Sequence, residues 1–203
     1  MVALCMGCPD LLSLRLPECH YISNMAVNAI AYHCKKLQEL VLTDNNNITD
    51  QSMCALFSSC TDLRHVNLDR LVLLTSAGVL TLLRNCPSLQ SLSLNWEYSL
   101  INDLIAASAN ESEAAEIIGS KGITDETLEH IPICCKELKI LRLYYCNFIS
   151  RTGVWTLIGR CKSLVELEVR YCKLAKPTRR CWAKCKAIGK RYRGLKIKWD
   201  WVG

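Results

Sequence analysis

Cysteine recurs in this chain at a fixed interval. Cys8, Cys34, Cys60 and Cys86 are spaced 26 residues apart, and Cys135 and Cys161 resume that spacing after a gap of 49. The gap is one repeat plus 23 further residues. Each cysteine opens the same phrase: CKKLQELVL at Cys34, CTDLRHVNL at Cys60, CPSLQSLSL at Cys86, CKELKILRL at Cys135 and CKSLVELEV at Cys161. The closing leucines fall on alternate positions, as in a strand with one face buried. The second half of each repeat begins with Ser23, Thr49, Thr75, Thr124 or Ser150, residue types whose oxygens accept an orphan backbone N–H at a helix start. Apolar residues then return at helical spacing, as in Met53, Leu56, Phe57 and Cys60.

A unit of strand, turn and capped helix cannot bury its own apolar face, but a stack of such units can. Strands stack about 4.8 Å apart and helices need about 10 Å, so the stack curves with its strands on the concave side. The expectation is an α/β leucine-rich-repeat solenoid, a horseshoe with parallel strands inside and helices outside. It forms one domain over 1–203, with rungs starting near 8, 34, 60, 86, 135 and 161. An insertion occupies about 97–119, and a basic C-terminal cap covers 173–203.

Fourteen cysteines invite other readings. A zinc site needs four ligands converging on a point, whereas one cysteine per rung makes a line. The N-terminus lacks the basic start and unbroken apolar core of a signal peptide, and no apolar run approaches a membrane span. Cytoplasm or nucleus is therefore expected, where thiols stay reduced even if cysteines on adjacent rungs come close. The cysteines, including a second set at Cys19, Cys146 and Cys172 eleven residues on, read as small buried hydrophobes. No metal and no cofactor is expected. His20, His33, His65 and His130 are scattered over different rungs, no nucleophile or phosphate-cradling motif is present, and catalysis is not expected.

The register C-x-x-L-x-x-L-x-L-x-x-C-x-x-I-[ST]-[DN], best seen in LLSLRLPECHYISN from Leu11 and LKILRLYYCNFIS from Leu138, resembles the cysteine-containing repeats of the F-box/leucine-rich-repeat proteins. The likeness runs from about Leu4 to Tyr171. It implies a substrate receptor of a cullin-type ubiquitin ligase, holding a protein on the concave face while the F-box engages the ligase adaptor. No F-box is found in this chain: Leu16, Pro17 and Glu18 resemble the start of one but lie within a repeat. The adaptor is a partner only if a longer form supplies an F-box. MVALCMGC resembles a helix tail from an earlier rung, so a longer protein or a partner at this end is expected. The alternatives are an F-box-less regulator acting by direct protein binding, like the mitotic-exit antagonists, and a nucleic-acid-associated scaffold.

Residues between the strand leucines face the groove, which predicts a protein-binding surface of Arg15, Val41, His65, Asn67, Asp69, Asn95, Arg142, Tyr144, Glu168 and Arg170. Trp96 and Tyr98 are expected to join it as aromatic anchors at the rim. The insertion is expected to hold two short amphipathic helices. It either folds over the rim to help hold the partner or forms a solvated acidic loop. Net charge is +6, but residues 173–203 carry eleven Lys or Arg against Asp200 alone, so the tail is +10 and the remainder −4. Cys181, Cys185, Ile188 and Tyr192 mark one helix face there, and Leu195, Ile197, Trp199 and Trp201 a final strand. This is expected to be a terminal cap, with attraction to an acidic partner second. Nucleic acid is not expected, because no binding motif accompanies the charge.

Overall fold

The computed structural model describes residues 6–97, 122–176, 178 and 194–200. Seven parallel strands form one sheet in sequence order: β1 (Ser13–Arg15), β2 (Glu39–Val41), β3 (His65–Asn67), β4 (Ser91–Asn95), β5 (Ile140–Tyr144), β6 (Glu166–Arg170) and β7 (Lys196–Asp200). Helices α1 (Asn24–His33), α2 (Asp50–Ser59), α3 (Ser76–Asn85), α4 (Asp125–Cys134) and α5 (Arg151–Arg160) follow β1, β2, β3, β4 and β5. The register never slips: Ser13, Glu39, His65, Ser91, Ile140, Glu166 and Lys196 are Cα partners in one continuous row. The insertion falls between β4 and α4, and β4 still pairs β5 over five residues. The two helices expected within it lie at residues outside the described ones.

The core is the layer between sheet and helices. Leu40, Val66, Leu92, Leu141 and Leu167 point into it from successive strands, and Met53, Leu56 and Phe57 of α2 meet them with no exposed surface. Cys34, Cys60, Cys86, Cys135 and Cys161 each occupy a helix C-cap. They do more than fill space. The Cys60 thiol donates to the Cys34 carbonyl at 3.4 Å, Cys86 to Cys60 at 3.5 Å, and Cys135 to Cys86 at 4.0 Å. The C-cap carbonyls of Cys34, Cys60 and Cys86 thus each gain a donor from the following rung. Burial, first of all, pushes the thiols of Cys60, Cys86 and Cys135 up to about 12, so each keeps its proton at neutral pH.

A second file of donors runs past the strand ends. Asn45 Nδ2 reaches the carbonyls of Leu16 (2.8 Å) and Leu42 (2.9 Å). The Cys146 thiol reaches Leu94 and Tyr144, and that of Cys172 reaches Leu143 and Arg170. Asn45 occupies the same register as those cysteines, so amide and thiol perform one task. Just before this file the backbone turns left-handed at Glu18, Asp44, Arg70, Tyr145 and Tyr171, with φ between 54° and 62°. That conformation costs a non-glycine residue about 1 kcal/mol. At Asp44, Tyr145 and Tyr171 the turn delivers the donor of the next residue, Asn45, Cys146 or Cys172, into the stack.

All five expected N-caps are N-caps, but not all cap by the expected bond. Thr75 accepts from Ala77 N–H, and Ser150 from Thr152 and Gly153 N–H. Thr49 makes no such bond; Asn24 of the preceding rung holds it instead, Nδ2 donating to Thr49 Oγ1 and Oδ1 accepting Thr49 N–H, both at 3.0 Å. Asp50 clamps Thr75 from the same place, its carboxylate accepting from both the N–H and the hydroxyl, and Asp125 clamps Ser150 likewise. The third helical residue must leave room for the carboxylate. It is Gly78 opposite Asp50 and Gly153 opposite Asp125, where a Cβ would collide with the acid.

Gly153→Ala is therefore expected to destabilise the fold by about 1–3 kcal/mol, the usual cost of overpacking. Gly159→Ala, six residues along the same helix and open to solvent, should instead gain up to about 1 kcal/mol from helix propensity. Urea unfolding of the two variants checks this; equal effects would mean that the carboxylate does not constrain the helix start.

Candidate protein-binding face

Because side chains alternate along a strand and the register is unbroken, the outward positions form three columns across the sheet. The central column runs Arg15, Val41, Asn67, Ser93, Arg142, Glu168, Lys198. Asn95, Tyr144 and Arg170 lie side by side in the next. Of the residues expected to bind, Arg15, Val41, His65, Asn67 and Arg142 line one open recess of about 270 Å³, together with Glu39, Ser91 and Ser93. His65 is exposed on β3, and its imidazole makes no hydrogen bond among the described residues.

Charge on this face is arranged in neighbouring pairs. Arg15 lies 3.4 Å from Glu39, and Arg142 lies 3.6 Å from Glu166. The Arg15 side chain is 68% exposed, so that pair contributes little stability and leaves the guanidinium available. Asp69 is held from several sides: Ser93 Oγ donates to it at 2.8 Å, and its own N–H donates to Asn67 Oδ1. Burial pushes its carboxyl up, against the hydrogen bonds from Ser93 and Asn67. Asn67 also accepts from Thr43 Oγ1, so its amide serves to join rungs.

The densest network lies at β5–β7. Glu168 is only 5% exposed. It accepts from the Tyr144 hydroxyl and, at 2.5 Å, from Lys198 Nζ, and Arg170 lies 3.6 Å away. Burial alone would push the Glu168 carboxyl up, but the Lys198 and Tyr144 hydrogen bonds outweigh it and hold it down at about 2. Burial, then the bond to Glu168, pushes Tyr144 up to about 12. Lys198 was not among the residues expected on this face, although it follows from extending the alternation of β6 into β7.

Trp96 is not presented at the rim: it is 4% exposed, and its indole N–H donates to the Leu74 carbonyl at 3.3 Å. It occupies the position at which neighbouring rungs turn left-handed, and that turn is absent there. The ring plugs the core where the insertion departs. Tyr98 lies outside the described residues, as does the expected tail helix. The aromatic pair the structure does place at the rim is Tyr145 and Tyr171, stacked with centroids 4.7 Å apart. Their spacing of 26 was the available signal. In the last strand Trp199 is buried beside Trp155, with its N–H donating to the Ala175 carbonyl, as a core-closing residue should.

The eleven described cysteines are free thiols, and no group of three or more metal-binding side chains occurs among the described residues. No described helix is long and apolar enough to cross a membrane.

No family model matches the sequence, and no curated protein matches it by sequence. Similarity emerges between structures. The Rad7 chain of the yeast Rad7–Elc1 complex aligns with a TM-score of 0.59 at 13% identity, over 99% of this chain and 46% of that one. The fold is that of a leucine-rich-repeat solenoid. This chain spans less than half the length of its Rad7 counterpart. The tropomodulin C-terminal domain of Caenorhabditis elegans (TM-score 0.46, 11% identity, 94% of this chain and 92% of that one) and leiomodin-1 actin-binding site 2 (0.46, 12%, 78% and 86%) align less well. Scores that low add nothing to the assignment.

The Glu168 network makes stability depend on acid. A carboxyl whose folded pKa is depressed from 4.5 to about 2 contributes stability that is present above 4.5 and lost as pH falls toward 2. Glu168→Gln is expected to lose roughly 1–3 kcal/mol at neutral pH and to flatten the acid limb of the stability curve. Denaturation at a series of pH values reads both; a variant with an unchanged acid limb would place the titrating group elsewhere.

Proposed function

We propose that this chain is a non-catalytic protein-recognition scaffold that binds its partner across the strand face, and that it forms the substrate-binding repeat region of a cullin-type ubiquitin-ligase receptor. The observation that carries the scaffold reading is the recess across β1–β5. Five independently expected residues meet there on a rigid, in-register sheet, with Arg15 exposed on one wall and Arg142 on another. A preorganised row of arginine, aliphatic and polar groups suits a protein surface, because partner binding need not order the backbone that presents it. The Rad7 chain of like fold is itself held in a complex with Elc1. The ligase reading rests on the repeat register and its resemblance to F-box proteins. In it the scaffold positions a substrate while the ligase-bound conjugating enzyme attacks lysines. The adaptor would join only through an F-box in a longer form.

A photo-crosslinking residue at Val41 or His65 tests the face, with Tyr32 on the outer side of α1 as control. Strand-face positions are expected to capture a discrete protein that Tyr32 does not. Arg15→Glu with Arg142→Glu should cut that capture by about tenfold or more. Equal capture from Tyr32, or capture indifferent to the arginines, sinks the scaffold reading. A captured protein whose lifetime is unchanged when this chain is depleted sinks only the ligase reading and leaves direct binding.

A further inference from the structure

The rim where helices end and strands begin has a surface unlike the strand face. Between the fifth and sixth rungs it opens into a recess of about 230 Å³, with Pro132 and the buried Cys135 and Cys161 among its walls. The recess lies where the thiol ladder changes: Cys161 Sγ sits 3.7 Å from Ser163 Oγ, on its own rung. Lys136, Arg160 and Lys162 surround it. All three are exposed, and none makes an ion pair among the described residues. Glu137, the acid adjacent in sequence, lies 3.5 Å from Gln90 Nε2 on the preceding rung.

Cations are expected at helix C-termini, so the dipole must be counted first. Two helix ends supply about −1 in total. Lys136, Arg160 and Lys162 bring three positive charges, which leaves an uncompensated excess of about +2 at the recess. Two exposed apolar residues neighbour its lining in sequence: Ile133, next to Pro132, is 63% exposed, and Val165, two residues beyond Ser163, is 51% exposed. No aromatic ring lines the recess, so it lacks the stacking platform of a single-strand nucleic-acid site.

We propose that this rim recess is a second docking site, separate from the strand face, for an acidic peptide segment that carries an apolar side chain. The carboxylates meet Lys136, Arg160 and Lys162. The apolar side chain enters against Pro132 and Cys161, flanked by Ile133 and Val165. The site lies at the helix-to-strand turns ahead of β5 and β6, and shares no lining residue with the recess on the strand face, so a protein held in the groove and one held here do not compete.

The test uses the full chain and a fluorescein-labelled peptide with one leucine flanked by acidic residues on both sides, read by fluorescence anisotropy. Binding is expected to weaken steeply as salt rises from about 50 to about 300 mM. Lys136→Glu with Lys162→Glu should weaken it by about tenfold or more, with the circular dichroism spectrum unchanged. Replacing the leucine with serine should weaken it several-fold, and Arg15→Glu with Arg142→Glu should leave it as it was. Unchanged affinity in the lysine variant overturns the proposal, as does loss of binding only when Lys184 and Lys186 of the tail are reversed. A single-stranded oligonucleotide that binds more tightly than the peptide and is lost in the same lysine variant also overturns it.

Discussion

Where the rungs of this solenoid meet at their corners, backbone carbonyls take side-chain donors from the next rung in addition to the bonds of the parallel ladder. At the helix-to-strand corner the donor is a thiol, as where Cys86 reaches Cys60. Beyond the strand it is an amide at Asn45 and a thiol at Cys146 and Cys172. A single S–H bond is weak, and the Cys34 and Cys86 carbonyls already accept from the Leu37 and Leu89 N–H, so the thiol adds a second donor to each. The donor must also be short, since anything longer would push the rungs apart. Cysteine meets both demands, and burial keeps it protonated. The property that makes it a good donor makes it a poor nucleophile and a poor metal ligand.

Once these corners are satisfied, the rest of the rung gains freedom. The sheet register is set by the stack, so outward strand positions are free to differ, and the central column is as varied as Val41, Asn67, Ser93 and Arg142. The stack tolerates a 23-residue insertion for the same reason, because β4 and β5 still meet in register. Where the repeat is left, indole takes over from thiol. Trp96 closes the core before the insertion, and Trp199 closes it in the last strand, each donating to a carbonyl of the preceding loop.

Much of this was legible in the sequence. Spacing alone located the strands, the helices, the C-cap cysteines and all five N-caps, because each recurs at a register that geometry enforces. The Trp96 reading failed for an instructive reason. Alternation along β4 puts Leu92 and Leu94 inward and Ser93 and Asn95 outward, so period two already sends Trp96 inward. The prior that aromatics near a groove are contact residues overrode it. The clamp of Asn24, Asp50 and Asp125 on the following rung was hidden differently. A single helix start explains a Thr-Asp pair as a cap, and only two rungs side by side show the acid pointing at its neighbour. The cations of the rim were counted into a net charge, which records number and not position.

By itself, the sequence determined that the chain stacks, at what period, and which face of each strand turns outward, since these follow from periodicity and from burying leucine. The tertiary structure alone decided which side chains of different rungs meet off that period. Tyr145 with Tyr171 and Lys136 with Lys162 are one repeat of 26 apart, but Glu168 with Lys198 and Tyr144, and Trp96 with the Leu74 carbonyl, meet at other separations. The physical reason is that periodicity reports the environment of one residue at a time, whereas a site is a relation between residues and exists only once the register of the stack is set.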